Sequence, residues 1–151
     1  MKISLPVVLI TILLGAFSLA ACGGASQGSS GPSSGPAATS LPTPPPEYAG
    51  KTNPLQGNAS AAQAGKQLFV SNCASCHGEN ARGNGPAASS LHPKPANLAA
   101  LQNKMSDDYM FWRISEGGAM PPFNSAMPAW KGVLSEEQIW QIITYLRTLG
   151  P

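Results

Sequence analysis

The chain of 151 residues is poor in the side chains on which most chemistry depends. Charged residues make up 11% of it, and from Ser60 onward seven Lys and Arg stand against six Asp and Glu. That balance offers no basic stripe of the kind that nucleic-acid binders carry, and no strong field to steer a partner from a distance. Nucleic acid is therefore not expected as a partner. The two histidines, His77 and His92, leave almost nothing for a paired acid and base. The three cysteines cannot build a structural zinc site, because Cys73 and Cys76 have no second pair of ligands at similar spacing and Cys22 is far off. From residue 60 onward no stretch alternates apolar and polar residues well enough for a strand. The folded part is expected to be all-α.

What is present begins with a processing segment. Lys2 supplies a positive start, and Leu5 to Ala20 is apolar but interrupted by Pro6, Gly15 and Ser18. The run closes on Leu19-Ala20-Ala21-Cys22, a small-residue cleavage site ending in cysteine, which resembles the lipobox of bacterial lipoproteins. Residues 1–21 are expected to be a lipoprotein signal peptide and Cys22 the lipidated N-terminus. An uncleaved membrane anchor is the competing reading. Either way the rest of the chain is expected outside the cytoplasm and tied to the cell membrane. Residues 22–58 follow as a Gly-, Ser- and Pro-rich linker, with a stiffer piece at Pro42 to Pro46. Residues 59–151 form the one domain, small for a chain that must fill its core alone.

Inside that domain stands Cys73-Ala74-Ser75-Cys76-His77. Two thiols at this spacing can each add across a vinyl group of one haem, and the histidine is then placed to ligate the iron. A thioredoxin-like redox pair would follow a strand, whereas the residues before Cys73 read as helix. With Cys22 given to lipid and the other two to one covalent haem c, no disulfide remains to be made. Haem attachment to cysteines agrees with an extracytoplasmic location.

Three helices are expected around the motif. The first runs from Ser60 to about Asn72, with Ser60 and Gln63 as a capping-box pair and Ala61, Ala64, Gly65 and Leu68 on one face. The second spans Ser106 to Glu116, with Asp107 and Asp108 at its start and Gly117-Gly118 at its end. The third spans Ser135 to Leu149, opened by Ser135 and Gln138 and striped with Ile139, Ile142, Ile143 and Leu146.

These features resemble a class I cytochrome c, in the order helix, C-x-x-C-H, Pro-containing loop, helix, Met-Pro loop, helix. The resemblance covers Gly65 to Leu149 and implies the small cytochrome c fold. Gly65 and Phe69 match the pair that lets the first helix cross the last, where Ile142 and Tyr145 match the partner positions. It implies His77 as one axial ligand and a methionine as the other. Met127-Pro128-Ala129-Trp130, followed by Leu134-Ser135-Glu136-Glu137, fits the family pattern better than Met120-Pro121 does. Met105 and Met110 are read as core fillers, and His92 as a solvated loop residue. A proline carbonyl, that of Pro95 by preference over Pro93, is expected to accept the proton of the His77 ring. Trp112, Arg113 and Trp130 are left open between haem contacts and ordinary core or surface positions, with Trp130 named among the cofactor-binding candidates. Arg82, Gly83 and Gly85 read as loop residues near the haem edge.

Histidine–methionine ligation leaves no open coordination site, so single-electron transfer is expected and not catalysis. A five-coordinate haem enzyme or gas sensor is the remote rival, for want of a distal acid–base pair. The segment Pro46 to Leu55 resembles the mono-haem subunit of alternative complex III, a bacterial quinol-oxidising complex. That resemblance implies redox protein partners in the membrane and a soluble acceptor. A mobile lipoprotein carrier, or the cytochrome partner of an oxidase or dehydrogenase, is the other reading.

Overall fold

A computed structural model describes residues 41–150; the expected signal peptide, Cys22 and most of the expected linker lie outside the described residues. The described part is helical: α1 (Ala59–Asn72), α2 (Ala74–His77), α3 (Leu98–Leu101), α4 (Asp107–Glu116) and α5 (Glu136–Arg147), with a 3-10 turn at Ala88–Ser90. Among the described residues the only β-type pairing is an isolated bridge between Lys131 and Leu134.

The frame is the crossing of α1 and α5. Gly65 sits so close to the last helix that a Cβ there would fall 1.9 Å from the Gln141 carbonyl oxygen. Removing the side chain lets the two backbones approach, and the neighbouring rings then fill the flanks. Phe69 and Tyr145 meet with ring centroids 5.5 Å apart. Phe69, Ile139, Ile142 and Ile143 are the largest fully buried side chains, three of them from the α5 stripe. Burial of each such side chain is worth about 1.5–3 kcal/mol. Helix α4 joins this core through Phe111, whose ring lies 4.4 Å from that of Trp140.

The helix ends follow the sequence in one case and depart from it in others. At α5, Ser135 and Gln138 form both bonds of the capping box. At α1 the cap is Asn58, whose side chain accepts the Ala61 amide at 3.0 Å. Ser60 is already inside the helix and donates its hydroxyl to Asn58, so the expected Ser60–Gln63 box does not form. Asparagine is a strong cap, and it starts the helix earlier. Ser106 occupies the N-cap of α4 without bonding its backbone, because its hydroxyl donates to Asp108. Helix α5 stops at Arg147, short of Leu149, and Thr148 caps it.

Residues 45–58, read from sequence as the end of a linker, lie packed on the domain. Tyr48 is buried against Phe111 and its hydroxyl donates to Glu116. The amides of Gly50 and Asn53 donate to Asp108 and Asp107 at 2.9 and 3.1 Å. The buried Asn53 side chain donates to the Thr144 hydroxyl of α5 at 2.9 Å. Composition argued against burial in this strap because its apolar content is low. It is held by one aromatic ring and by hydrogen bonds to side chains more than 50 residues away, which no local pattern announces.

Candidate functional site

Helix α2 is a single turn that carries the Cys-Ala-Ser-Cys-His motif directly out of α1. The Cys73 amide bonds Phe69 at 2.8 Å, and the His77 amide bonds Cys73 at 2.9 Å. The following loop returns to cover the carbonyls of the turn: Gly83 donates to His77, Gly85 to Cys76 and Ala87 to Ser75, all within 3.1 Å. With the backbone satisfied on both sides, the thiols and the imidazole are the free chemistry of the segment.

Cys73, Cys76 and His77 all line one cavity of about 280 Å³, together with Met127 and Trp130. Its wall is largely apolar, with Leu98, Ile114 and Leu146 among the side chains facing it. Both thiols are free and half-buried. Burial, with a smaller contribution from neighbouring Cys76, pushes the Cys73 thiol up to about 12, so it stands as a neutral thiol. Burial also lowers the His77 pKa, against a weaker opposing pull from the Ala96 carbonyl. The ring is therefore neutral. Its Nδ1 lies 3.1 Å from the Ala96 carbonyl oxygen. A carbonyl can only accept, so the proton sits on Nδ1 and the lone pair is left on Nε2.

The acceptor is thus Ala96, not Pro95 or Pro93 as sequence suggested. Both prolines line the cavity, and the carbonyl that reaches the ring belongs to the residue after Pro95. His92 is exposed and is not part of the cavity wall.

Met127 is delivered by a loop tied to the end of α4. The amides of Trp130 and Lys131 donate to the Ile114 and Ser115 carbonyls at 3.0–3.1 Å, which satisfies acceptors that a helix C-terminus leaves open. The Gly118 amide donates to the Met127 carbonyl at 2.9 Å. Gly117 turns the chain with φ of +70°, and a Cβ there would fall 2.5 Å from the Pro128 carbonyl carbon. Met120 lies off the cavity wall, its sulfur 3.7 Å from an Arg113 nitrogen. Met105 and Met110 are core residues as expected, yet both also face the cavity. Helical periodicity marks a buried face without telling core from cavity wall, so nothing in the pattern distinguished them. Of the residues left open from sequence, Trp130 and Arg113 line the cavity. Trp112 packs between Tyr109 and Phe123, at 5.9 and 5.4 Å between ring centroids.

Among the described residues no three His, Cys, Asp or Glu side chains gather in a metal-binding group. The donor set at the cavity is instead two thiols, one neutral imidazole with a free Nε2, and methionine sulfur in an apolar wall. It fits a covalently bound haem, whose ring takes the apolar surface and whose iron takes soft or borderline ligands.

Residues 60–146 match the family model described as cytochrome c oxidase, cbb3-type, subunit III. The chain is 32% identical over 89 residues to the cbb3-type cytochrome c oxidase subunit FixPc of Rhizobium leguminosarum bv. viciae, covering 59% of this chain and 28% of that protein. It is 34% identical over 94 residues to the subunit CcoP of Rhodobacter capsulatus, covering 59% and 29%. The cytochrome c subunit of the quinone alcohol dehydrogenase of Gluconobacter oxydans is 26% identical over 103 residues, covering 65% and 20%. The chain thus spans less than a third of the length of these curated relatives. Cytochrome cL of Methylophaga aminisulfidivorans superposes with a TM-score of 0.50 at 22% identity, covering 66% of this chain and 59% of that one. A chain of a reducing HAO-like protein complex from Kuenenia stuttgartiensis gives 0.52 at 24%, covering 65% and 47%. These two likenesses bear on the fold.

Proposed function

Given that the chain belongs to the class I c-type cytochromes, in the family of the cbb3-type cytochrome c oxidase subunit III, we propose that it carries single electrons at a membrane surface on one covalently held haem c. The observation that carries this reading is the convergence of Cys73, Cys76, His77 and Met127 on one apolar cavity. Haem c, when bound, supplies a one-electron iron couple. Cys73 and Cys76 would hold it through thioethers. His77 would offer Nε2, with the Ala96 carbonyl fixing the ring's tautomer and orientation. Met127 would offer its sulfur, and the surrounding side chains, Trp130 among them, exclude water. Held by His77 and Met127, the group would keep no ligand position for a substrate, which supports a carrier and not an enzyme.

The tether belongs to the same proposal: a diacylated Cys22 would fix the domain to the outer face of the cell membrane. Its partners are then redox proteins within that membrane. The resemblance of residues 46–55 to the mono-haem subunit of alternative complex III supports a place in a quinol-oxidising complex that passes electrons to a soluble acceptor. The names of the relatives FixPc and CcoP favour a second reading, the cytochrome partner of an oxidase.

Intact mass of the mature protein tests the cofactor. It should show one haem retained after denaturation and a chain beginning at lipid-modified Cys22, and a mass lacking haem sinks the proposal. Met127→Ala tests the carrier reading. It should abolish the thioether–ferric charge-transfer band, lower the potential and let carbon monoxide bind the reduced protein, while Met120→Ala does little to any of these. Ready binding of carbon monoxide by the unmutated protein would favour the five-coordinate reading instead. Purification from native membranes in mild detergent separates the complexes, since a quinol-oxidising assembly and an oxidase bring different companions.

A further inference from the structure

Helix α4 carries acids at both ends, and only one end suits them. Asp107 and Asp108 stand in its first turn, where the helix dipole favours negative charge. Glu116 is its last residue, where a carboxylate meets the negative end of the same dipole. This last turn also supports the Met127 loop. The Ser115 carbonyl accepts the Trp130 and Lys131 amides at 3.1 and 3.0 Å, and the Ile114 carbonyl shares the first of them. An unpaired anion here loosens the very turn from which the loop hangs.

Two side chains answer that anion. Lys131, on the loop itself, reaches Glu116 Oε1 at 2.9 Å. Its side chain is 68% exposed, and a pair so open to water contributes little. The other donor comes from inside. Tyr48 is buried against Phe111, and its hydroxyl donates to the same carboxylate oxygen. Charge-assisted bonds of this kind are about twice as strong as neutral ones, and it is Tyr48, ahead of Lys131, that holds the Glu116 carboxyl below its ordinary range. Tyr48 belongs to the strap, and the next strap residues, Gly50 and Asn53, donate to Asp108 and Asp107 at the other end of α4. The strap therefore spans α4, from the turn that carries the ligand loop to the turn that starts the helix.

Building on the haem reading above, we propose that Tyr48 and Glu116 are positioning residues that couple docking of the strap to retention of Met127 on the iron. With the strap docked, the Tyr48 hydroxyl offsets the carboxylate, and the carbonyls of the last turn keep hold of Trp130 and Lys131. With the strap lifted, Glu116 is left to an exposed lysine, and the loop opens locally more often. A pull on the residues ahead of Tyr48 then weakens ligation without touching the cavity, which none of Tyr48, Glu116 and Lys131 lines.

The test uses the full-length, haem-loaded protein and its Y48F, E116A, Y48F/E116A and N53A variants. Three quantities are read. One is the limiting rate at which imidazole displaces the thioether from ferric iron, followed as loss of the charge-transfer band. The second is hydrogen exchange at the Trp130 and Lys131 amides, with Ile142 and Ile143 of α5 as reference. The third is the denaturant midpoint. Y48F keeps the buried ring and should raise both the displacement rate and the loop exchange by about tenfold, as loss of one hydrogen bond to a charged group implies. N53A removes a strap anchor remote from Glu116; it should lower the midpoint yet leave both local readouts nearly unchanged. In the E116A background Y48F should add nothing, since the carboxylate through which it acts is gone. Y48F with wild-type displacement and exchange overturns this proposal alone. So does N53A accelerating both as much as Y48F, which would make loop opening follow overall stability. Faster exchange with unaltered displacement also overturns it, because the coupling then stops short of the ligand. A wild-type protein without covalent haem or without the charge-transfer band overturns it together with the reading on which it rests.

Discussion

The crossing of α1 and α5 and the loop from Gly117 to Leu134 are held by different forces. In the crossing, the missing side chain of Gly65 and the rings of Phe69 and Tyr145 bring two helices together over fully buried isoleucines. The loop has few buried side chains and is hung by its amides on the last carbonyls of α4. Packing of the first kind is distributed over many contacts and gives way only when the whole domain does. Attachment of the second kind is a handful of hydrogen bonds, each worth about 1 kcal/mol net, and it opens locally. The difference separates stability from ligation: the fold resides in the crossing, and the proposed iron ligand rides on the part that moves most cheaply.

The sharpest way to break that contrast is Gly65→Ala. The new Cβ meets helix backbone, not a flexible side chain, so the helices must separate, at a cost of about 3 kcal/mol or more. Denaturant unfolding of the whole domain should show it, and an unaltered midpoint would mean that the crossing is not the frame. Gly117→Ala should cost less, about 1–3 kcal/mol for a residue forced to positive φ against backbone. Its main effect should be local, read as faster hydrogen exchange at the Gly118, Ser125 and Trp130 amides with α5 still protected. Equal acceleration in α5 would erase the distinction between the two regions. Asn53→Ala removes the strap's buried bond to Thr144 and should cost about 1–2 kcal/mol, again in global unfolding.

The smallest effect concerns pH. Burial first, then the hydrogen bond to Glu116, pushes the Tyr48 hydroxyl up to about 12, against an unfolded value of about 10. A group whose folded pKa is raised stabilises fully below its unfolded pKa, and the contribution disappears as pH rises from about 10 to about 12. The Glu116 carboxyl is held below its ordinary range, chiefly by the Tyr48 hydroxyl and then by Lys131, so its share is lost on the acid side. Tyr48→Phe should flatten both limbs of the stability–pH profile. A profile that Tyr48→Phe leaves unaltered would detach the strap from this carboxylate.

Much of the crossing was legible from sequence: the isoleucine stripe with its capping box at Ser135 from helical spacing, and the pairing of Gly65 and Phe69 from the resemblance to class I cytochromes c. Helical spacing also made the all-α class legible. Less of the site was. The thiols, the imidazole and Met127 stand in motifs and do meet at one cavity. The acceptor for the His77 ring is a backbone carbonyl, and every residue has one, so the choice of Ala96 over Pro95 depends on a one-residue register that composition does not encode. The Asn58 cap was missed because Ser60, two residues on, offered an equally good pattern. The strap was missed because its anchors lie in α4 and α5.

That strap has a consequence for what counts as a module. The stretch matched by the family model begins at residue 60, whereas the packed body already includes Tyr48 and Asn53. The unit of inheritance and the unit of folding are therefore different lengths. A graft of residues 60–146 into another protein would carry the motif and the loop that bears Met127. It would leave Glu116, Asp107, Asp108 and Thr144 facing whatever its new host supplies in place of Tyr48, Gly50 and Asn53. Exchange of such a domain between proteins then selects hosts whose preceding segment can dock on α4 and α5. Cutting ahead of Pro45 removes that requirement, because the domain brings its own clasp.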